Sequence, residues 1–159
     1  FRVYSSTDVV GVEIGGAVKN VIAIAAGLSD GLGLGHNARA ALITRGLAEI
    51  SRLVKALGAR QSTFMGLSGM GDLVLTCAGD LSRNRQVGLR LARDESMAQI
   101  NAGMIQVAEG VKTTEAVYLL SRELDVDMPI AQAMYRIISE GAAPAKLVNG
   151  LLTSSVREE

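Results

Sequence analysis

The sequence predicts an all-α domain of about seven or eight helices. Alanine-rich and leucine-rich stretches of about 10 to 20 residues follow one another, each bounded by Gly, Ser, Asp or Pro. Alternating β-branched segments nearly vanish after residue 5. Hydrophobic residues make up 48% of the 159 residues and charged residues 20%, so the chain is too apolar for disorder and large enough for one buried core.

The first two predicted helices are long and lie at the centre of the domain. Asp8 is a suitable N-cap for a helix that runs to about Ala26. The segment 27–35, GLSDGLGLG, predicts a loop, and it fits a dinucleotide-binding loop poorly because a helix precedes it where that motif needs a strand. Asn37 is expected to cap a second helix that ends near Leu57.

Two adjacent glycines, Gly15 and Gly16, lie inside the first predicted helix. Each costs a helix roughly 1 kcal/mol relative to alanine. Two explanations are open. Either another segment packs closely against the helix backbone, or the missing side chains leave room for a ligand.

Capping residues and prolines place the remaining helices. They are expected at 62–66, 82 to about 92, from 96 onward, 113 or 114 to about 124, 129–139 and 144–152. The glycine-broken turn LSGMG precedes the apolar run 73–75, which fits either a buried strand or the start of a helix. The polar end 153–159 is expected to fray.

Charge and cysteine content exclude several classes of function. Sixteen basic and sixteen acidic residues leave no net charge to attract nucleic acid or an anionic membrane. The single cysteine, Cys77, cannot form an internal disulfide, and no Cys/His spacing indicates a metal site. Lys19, Asn20 and Asp30 interrupt the apolar stretches before about 18 residues, so neither a membrane span nor secretion is expected. The cytosol is the expected compartment.

Polar residues in apolar surroundings are the candidate functional residues. Lys19 and Asn20 lie in mid-helix among apolar neighbours, where they form either a solvated stripe or a proton donor or acceptor beside an amide that orients a substrate. Asp72 follows two glycines, and Thr76 lies one turn later if that segment is helical. The other interpretation of Asp72 is an N-cap.

The segment LSRNR, residues 81–85, has the composition of an anion site. It places a capping serine, two guanidinium groups and an amide in the first turn of a predicted helix. Free backbone N–H groups and the positive end of the helix dipole add to this attraction.

Four blocks of sequence carry a family resemblance. They are VGVEIGGAVKNVIAIAAGLSDGLGLGHNARAALITRGLAEI, GLSGMGDLVLTC, LSRNR and VAEGVKTTEAV. In this order they resemble the C-terminal domain of bacterial NAD(P)-dependent glycerol-3-phosphate dehydrogenase across nearly the whole chain. The resemblance implies an all-α fold of the 6-phosphogluconate dehydrogenase C-terminal-like type. Residues 1–7 would be the last strand and linker of a missing N-terminal Rossmann domain, and 8–159 the substrate-binding domain.

The resemblance also implies a reaction and the residues that carry it. Hydride transfer would interconvert glycerol 3-phosphate and dihydroxyacetone phosphate, with NAD or NADP bound mainly by the absent domain. Lys19 matches the catalytic lysine, and Lys19, Asn20, Asp72 and Thr76 match polar residues that bind the substrate around the reacting carbon. Ser82, Arg83 and Asn84 match a substrate-binding segment, while Arg83, Val107 and Glu109 match cofactor contacts. The expected enzyme is a cytoplasmic homodimer that supplies glycerol 3-phosphate for phospholipid synthesis. This fragment alone is expected to be inactive.

Two other functions remain as alternatives. Related hydroxyacid dehydrogenases also place a lysine on the first long helix. In those families an asparagine is expected one turn after the lysine, where this chain has Ala23. A helical binding or dimerisation module without catalysis is the second alternative.

Overall fold

The protein is described by a computed structural model that covers residues 5–104, 106 and 108–153. Within these residues every regular element is helical, and the all-α prediction is confirmed. The helices are α1 (Val9–Gly31), α2 (Gly35–Ala56), α3 (Gln61–Phe64), α4 (Asp72–Ala78), α5 (Arg83–Leu91), α6 (Met97–Ala102), α7 (Glu109–Glu123), α8 (Pro129–Glu140) and α9 (Pro144–Thr153). A π-helical turn, Leu67–Gly71, leads directly into α4. The strand expected at 1–5 and the frayed end expected at 153–159 lie almost entirely outside the described residues.

Helix α1 is longer than the sequence suggested. The end expected near Ala26 is wrong, because the helix continues to Gly31. A Cβ atom on Gly27 would lie 2.0 Å from the carbonyl oxygen of Arg85, and one on Gly88 would meet the α1 backbone at the same distance. The glycines therefore let α1 and α5 cross with their backbones in contact, and they do not form a loop.

The connection to α2 is correspondingly short. It consists of residues 32–34, and Gly33 adopts a positive φ of 72° that reverses the chain. Helix α2 therefore begins at Gly35, before the cap expected at Asn37, and no side chain caps it. Gly58 has a φ of 74° just after α2 ends, as a helix-terminating glycine does.

Helix α1 is the core of the molecule. Its 23 residues include an 18-residue window with a mean hydropathy of 1.6, which by length and composition fits a membrane span. However, 56% of that window is buried inside the protein, and every residue from 21 to 29 is buried. Contacts with α2, α4, α5 and α7 explain this burial. The apolarity of α1 is that of a helix surrounded by other helices.

The buried face of α2 differs in part from the one that its sequence predicts. Helical spacing predicts a core-facing stripe of Ala41, Ile43, Leu47, Ile50, Leu53, Val54 and Leu57. Ala41 is exposed, whereas Leu42, Gly46 and Glu49 are buried. The Glu49 carboxylate accepts hydrogen bonds from the backbone N–H groups of Ile130 at 2.7 Å and Ala131 at 3.3 Å. A buried acid of α2 therefore caps α8.

Helix α7 begins earlier than predicted. It starts at Glu109, so the start expected at Thr113 or Thr114 is wrong. The sequence also predicts that Tyr118, Leu119, Leu120 and Leu124 form the apolar side of this helix. That prediction is wrong in part, because Leu119 is 57% exposed. The buried face is lined by Gly110, Thr114, Val117 and Ser121.

In the other helices, the capping residues in the sequence were sufficient to predict where the helix begins. Ser82 caps α5, Ser96 opens α6 with a reciprocal bond to Gln99, and proline occupies the first turn of α8. The apolar run 73–75 is helical, which decides between the two interpretations left open.

Candidate active site

Lys19 forms an ion pair with Asp72, joining the middle of α1 to the first residue of α4. The Thr76 hydroxyl lies 3.3 Å from Asp72 Oδ1 and donates a 2.6 Å bond to the Asp72 carbonyl. The side chain of Lys19 is 19% exposed and that of Asp72 35%. The ammonium group is therefore fixed in position and still accessible to a ligand.

The π-helical turn sets the direction in which α4 begins. Gly69 lies against α3 so closely that a Cβ atom would be 1.9 Å from the carbonyl oxygen of Phe64. The N-cap of α4 is Gly71, and no side chain caps the helix. The N-cap interpretation of Asp72 is therefore wrong, and its carboxylate is directed to Lys19.

The glycine pair of α1 satisfies both explanations, one at each residue. A Cβ atom on Gly15 would lie 2.8 Å from the Phe64 ring, so this glycine allows close packing. At Gly16, no atom of the described residues lies within 4 Å of the same position. Because Lys19 and Asn20 lie one turn further along the helix, Gly16 leaves open space on their face of α1.

Buried amides connect three helices next to Lys19. Asn84 donates from Nδ2 to Oδ1 of Asn20 at 2.9 Å, and its own Oδ1 accepts from the backbone N–H of Gly110, also at 2.9 Å. Asn20 and Asn84 are only 7% and 8% exposed. Asn84 thereby caps α7, whose N-cap position is held by Ala108, a residue without a capping group.

The two arginines at the start of α5 have different environments. Arg85 pairs with Asp30 at 2.8 Å and with Asp80 at 2.9 Å, so its guanidinium holds the fold together. Arg83 is exposed and donates to Oε1 of Gln106 at 2.6 Å. Ser82 accepts from the Arg85 backbone N–H at 3.3 Å. Arg83 is therefore the arginine of this segment with a guanidinium facing solvent.

The positions matched to cofactor contacts lie at the start of α7. Glu109 is exposed and is the first residue of that helix, next to Gly110. Val107 lies outside the described residues. The glycines after α1 follow a helix, so the described part of the chain has no strand–loop–helix cradle for a dinucleotide. In that same part, no group of three or more His, Cys, Asp or Glu residues is placed to hold a metal ion.

Sequence reasoning missed Gln106 and Gly110. Gln106 lies 23 residues from the arginine it binds, and only the fold brings the two together. Gly110 carried a weak signal, since a glycine in a helical segment indicates close approach of another group. A Cβ atom there would lie 2.7 Å from Asn84 Oδ1 and 2.8 Å from the Asn20 carbonyl oxygen.

The sequence matches a known family along most of its length. The model of the family described as NAD-dependent glycerol-3-phosphate dehydrogenase C-terminus matches residues 8–149. The chain belongs to this family. A relative from Nitratidesulfovibrio vulgaris strain Hildenborough, named glycerol-3-phosphate dehydrogenase [NAD(P)+], is 70% identical over all 159 residues. One of the same name from Geobacter sulfurreducens is 58% identical over the whole chain. The chain spans 48% of the length of each of these relatives.

Solved structures of the family share the fold. Glycerol-3-phosphate dehydrogenase from Coxiella burnetii superposes with a TM-score of 0.94 at 47% identity, over 96% of this chain and 47% of that one. The enzyme from Saccharomyces cerevisiae gives 0.81 at 32% identity, over 89% of this chain and 42% of that one. The resemblance found in the sequence is confirmed.

Proposed function

We propose that this chain is the substrate-binding domain of an NAD(P)-dependent glycerol-3-phosphate dehydrogenase. The whole enzyme would interconvert glycerol 3-phosphate and dihydroxyacetone phosphate. The observation that carries the proposal is the accessible Lys19–Asp72 ion pair on a fold shared with relatives of that name. No observation favours another hydroxyacid dehydrogenase or a module without catalysis.

Lys19 is the proton-transfer group. In the direction of reduction the ammonium gives a proton to the oxygen on C2 of the ketone as that oxygen gains negative charge, and in oxidation the amine takes the hydroxyl proton back. A bound nicotinamide supplies or accepts the hydride at C2. Asp72 holds the ammonium in place, and Thr76 supports Asp72.

Arg83 is the phosphate-binding residue. Its guanidinium faces solvent at the N-terminus of α5, where Ser82 and Asn84 flank it. A forked guanidinium beside a helix N-terminus binds phosphate through charge-assisted hydrogen bonds. Arg85 is not assigned this role, because its guanidinium already forms ion pairs with Asp30 and Asp80.

The cofactor, NAD or NADP, is held mainly by an N-terminal Rossmann domain of the same polypeptide. From this chain, Arg83, Val107 and Glu109 would reach it. Glu109 and Arg83 are exposed and so are free to meet another domain. We further propose a cytoplasmic homodimer that supplies glycerol 3-phosphate for phospholipid synthesis, as the resemblance implies.

Two substitutions in the complete enzyme test the assignment. Lys19→Ala should lower kcat by about 10² to 10⁴ with a smaller change in KM, because it removes the proton donor. Arg83→Ala should raise KM for dihydroxyacetone phosphate and reduce its advantage over unphosphorylated dihydroxyacetone. Steady-state kinetics with both substrates measures both effects.

Two exposed residues that are not part of the candidate site serve as controls. Lys55→Ala on α2 and Arg136→Ala on α8 remove the same charges and should leave both constants unchanged. Full activity in Lys19→Ala would reject the proposed function. A retained phosphate preference in Arg83→Ala would assign phosphate binding to another cation.

A further inference from the structure

Asp30, near the end of α1, is a largely buried acid that connects three helices. Its Oδ2 accepts a hydrogen bond from Arg39 Nη1 of α2 at 2.9 Å. The same oxygen accepts two bonds from Arg85 of α5, from Nε at 3.1 Å and from Nη2 at 2.8 Å. The side chains of Asp30, Arg39 and Arg85 are 12%, 22% and 11% exposed. Solvent therefore screens these charge-assisted bonds only weakly.

At the crossing of α1 and α5 the two backbones meet through glycines. Gly27 lies against the Arg85 carbonyl oxygen, and Gly88 lies against the Ile24 carbonyl oxygen. A glycine has no side chain to fit between those of a facing helix, so these contacts do not oppose sliding of one helix along the other. Hydrogen bonds between side chains of the two helices supply a defined register there.

Two such links hold the start of α5 on α1 from opposite directions. Asn84 is bonded to Asn20, and the next residue, Arg85, is bonded to Asp30. Asn20 and Asp30 are ten residues apart, about 15 Å along the axis of α1, and the crossing at Gly27 lies between them. A shift of α5 toward either end of α1 would therefore stretch one of the two links.

The register of these helices sets the spacing of the candidate site. Arg83 is the first residue of α5, directly before Asn84, and Lys19 precedes Asn20 on α1. The distance between the ammonium group and the Arg83 guanidinium therefore depends on how α5 lies along α1. A substrate held at both ends reacts only if this distance fits it, and a misplacement of about 1 Å can lower the rate about 100-fold.

We propose that Asp30 is a positioning residue that acts through Arg85 to fix the start of α5. It thereby sets the distance between Arg83, which binds the phosphate, and Lys19, which transfers the proton. The inference rests on the proposed function and extends it. In this role Asp30 affects a substrate that engages both groups, as dihydroxyacetone phosphate does. Unphosphorylated dihydroxyacetone engages Lys19 alone and is unaffected.

Asp30→Asn in the complete enzyme is the first test, because it keeps the shape of the side chain and removes its charge. Steady-state kinetics gives kcat/KM for dihydroxyacetone phosphate and for dihydroxyacetone, and the ratio of the two values is the phosphate preference. This preference should fall about 10-fold to 100-fold, while kcat/KM for dihydroxyacetone stays within about twofold of the wild type. A purely structural role would lower the melting temperature and reduce activity toward both substrates alike.

Two further variants test whether the effect passes through the arginines of α5. Arg85→Gln leaves Asp30 paired with Arg39, so no buried charge loses all its partners, and the phosphate preference should fall to a similar extent. If Asp30→Asn does not fold, this variant decides. Arg83→Ala has already lost the phosphate contact, so adding Asp30→Asn to it should lower the preference no further.

Asp80→Asn is the matched control. Asp80 pairs with the same Arg85 guanidinium at 2.9 Å, but it is 92% exposed and lies in the turn before α5 rather than on α1. An exposed ion pair contributes little, so the phosphate preference should stay at the wild-type value. An equal fall in Asp80→Asn would overturn the role of Asp30, because the link to α1 would then not matter.

The remaining outcomes separate this inference from the proposed function. A wild-type phosphate preference in Asp30→Asn or in Arg85→Gln overturns the positioning role, as does a further fall when Asp30→Asn is added to Arg83→Ala. If Lys19→Ala still loses activity in that case, the proposed function stands without it. Full activity in Lys19→Ala rejects the proposed function itself.

Discussion

Glu49 is a carboxyl group inside the core, 1% exposed, between α2 and the start of α8. Burial raises its pKa from an ordinary 4.5 to about 7, although the backbone N–H groups of Ile130 and Ala131 favour the ionised form. Desolvation exceeds the effect of the hydrogen bonds. The folded chain therefore holds a proton on Glu49 more tightly than the unfolded chain does.

This difference in pKa makes stability depend on pH in a definite direction. The stabilisation is complete below pH 4.5 and is lost as the pH rises through about 7, because the unfolded chain releases the proton first. Relative to Glu49→Gln, which cannot titrate, the wild type should lose about 3 kcal/mol of unfolding free energy across this window at most. Urea titrations of both proteins at pH 5 and pH 8 measure it.

An exposed acid provides the comparison for Glu49. Glu123→Gln, at the exposed end of α7, should show the same pH dependence as the wild type. If Glu49→Gln keeps a constant stability difference from the wild type at both pH values, Glu49 does not titrate in this window.

At the scale of helices, the crossing of α1 and α5 leaves no room for an added side chain. Gly88→Ala would place a Cβ atom 2.0 Å from the Ile24 carbonyl oxygen. The next nearest atoms also belong to the α1 backbone, so no flexible side chain can move to make room. The helices would have to separate. We expect a loss of about 3 kcal/mol or more in unfolding free energy, at the upper end of overpacking effects.

Chemical denaturation of Gly88→Ala beside Gly150→Ala measures this loss, since both replace a helical glycine by alanine. The open position at Gly150 should be neutral or slightly stabilising. Equal stability of the two variants would show that α1 and α5 can separate without cost.

The same helices show what sequence could and could not predict. The caps at Asp8, Ser82 and Ser96 were predictable because a capping side chain binds the backbone of its own first turn. The end of α1 was not, since a glycine in a loop and a glycine at a helix crossing look alike until the crossing helix is known. The start of α7 was missed because its cap, Asn84, comes from another helix.

The candidate site was predictable in its residues but not in its connections. Lys19 and Asp72 stood out as polar residues in apolar segments, and the family resemblance gave them roles. Their pairing spans 53 residues of sequence, so only the packed helices show it. The hydrogen bonds that fix Asn20 depend on Gly110, a residue with no side chain to suggest a function.

At the scale of the whole molecule, the chain has a continuous core, and its described part has no strand–loop–helix cradle for a dinucleotide. The isolated chain should therefore fold cooperatively and fail to reduce dihydroxyacetone phosphate, because hydride transfer needs a nicotinamide held against C2. Circular dichroism during thermal unfolding tests the first expectation. An assay of NADH and NADPH oxidation tests the second.

Fusing or adding the N-terminal half of the relatives provides the positive control for that assay, since they are about twice as long as this chain. Turnover by the isolated chain would place a complete nicotinamide site within these residues. Failure to fold alone would show that the core needs contacts from the other half.

The position of Lys19 on α1 has a mechanical consequence. At the start of the helix, the Asp8 side chain accepts a hydrogen bond from the Arg60 backbone N–H. Just beyond Lys19, the helix enters a stretch whose residues are all buried. The backbone that carries Lys19 is thus held by contacts within the domain on both sides of the lysine. The N-terminal domain that we propose would therefore bring the nicotinamide to a lysine whose backbone is already held in place.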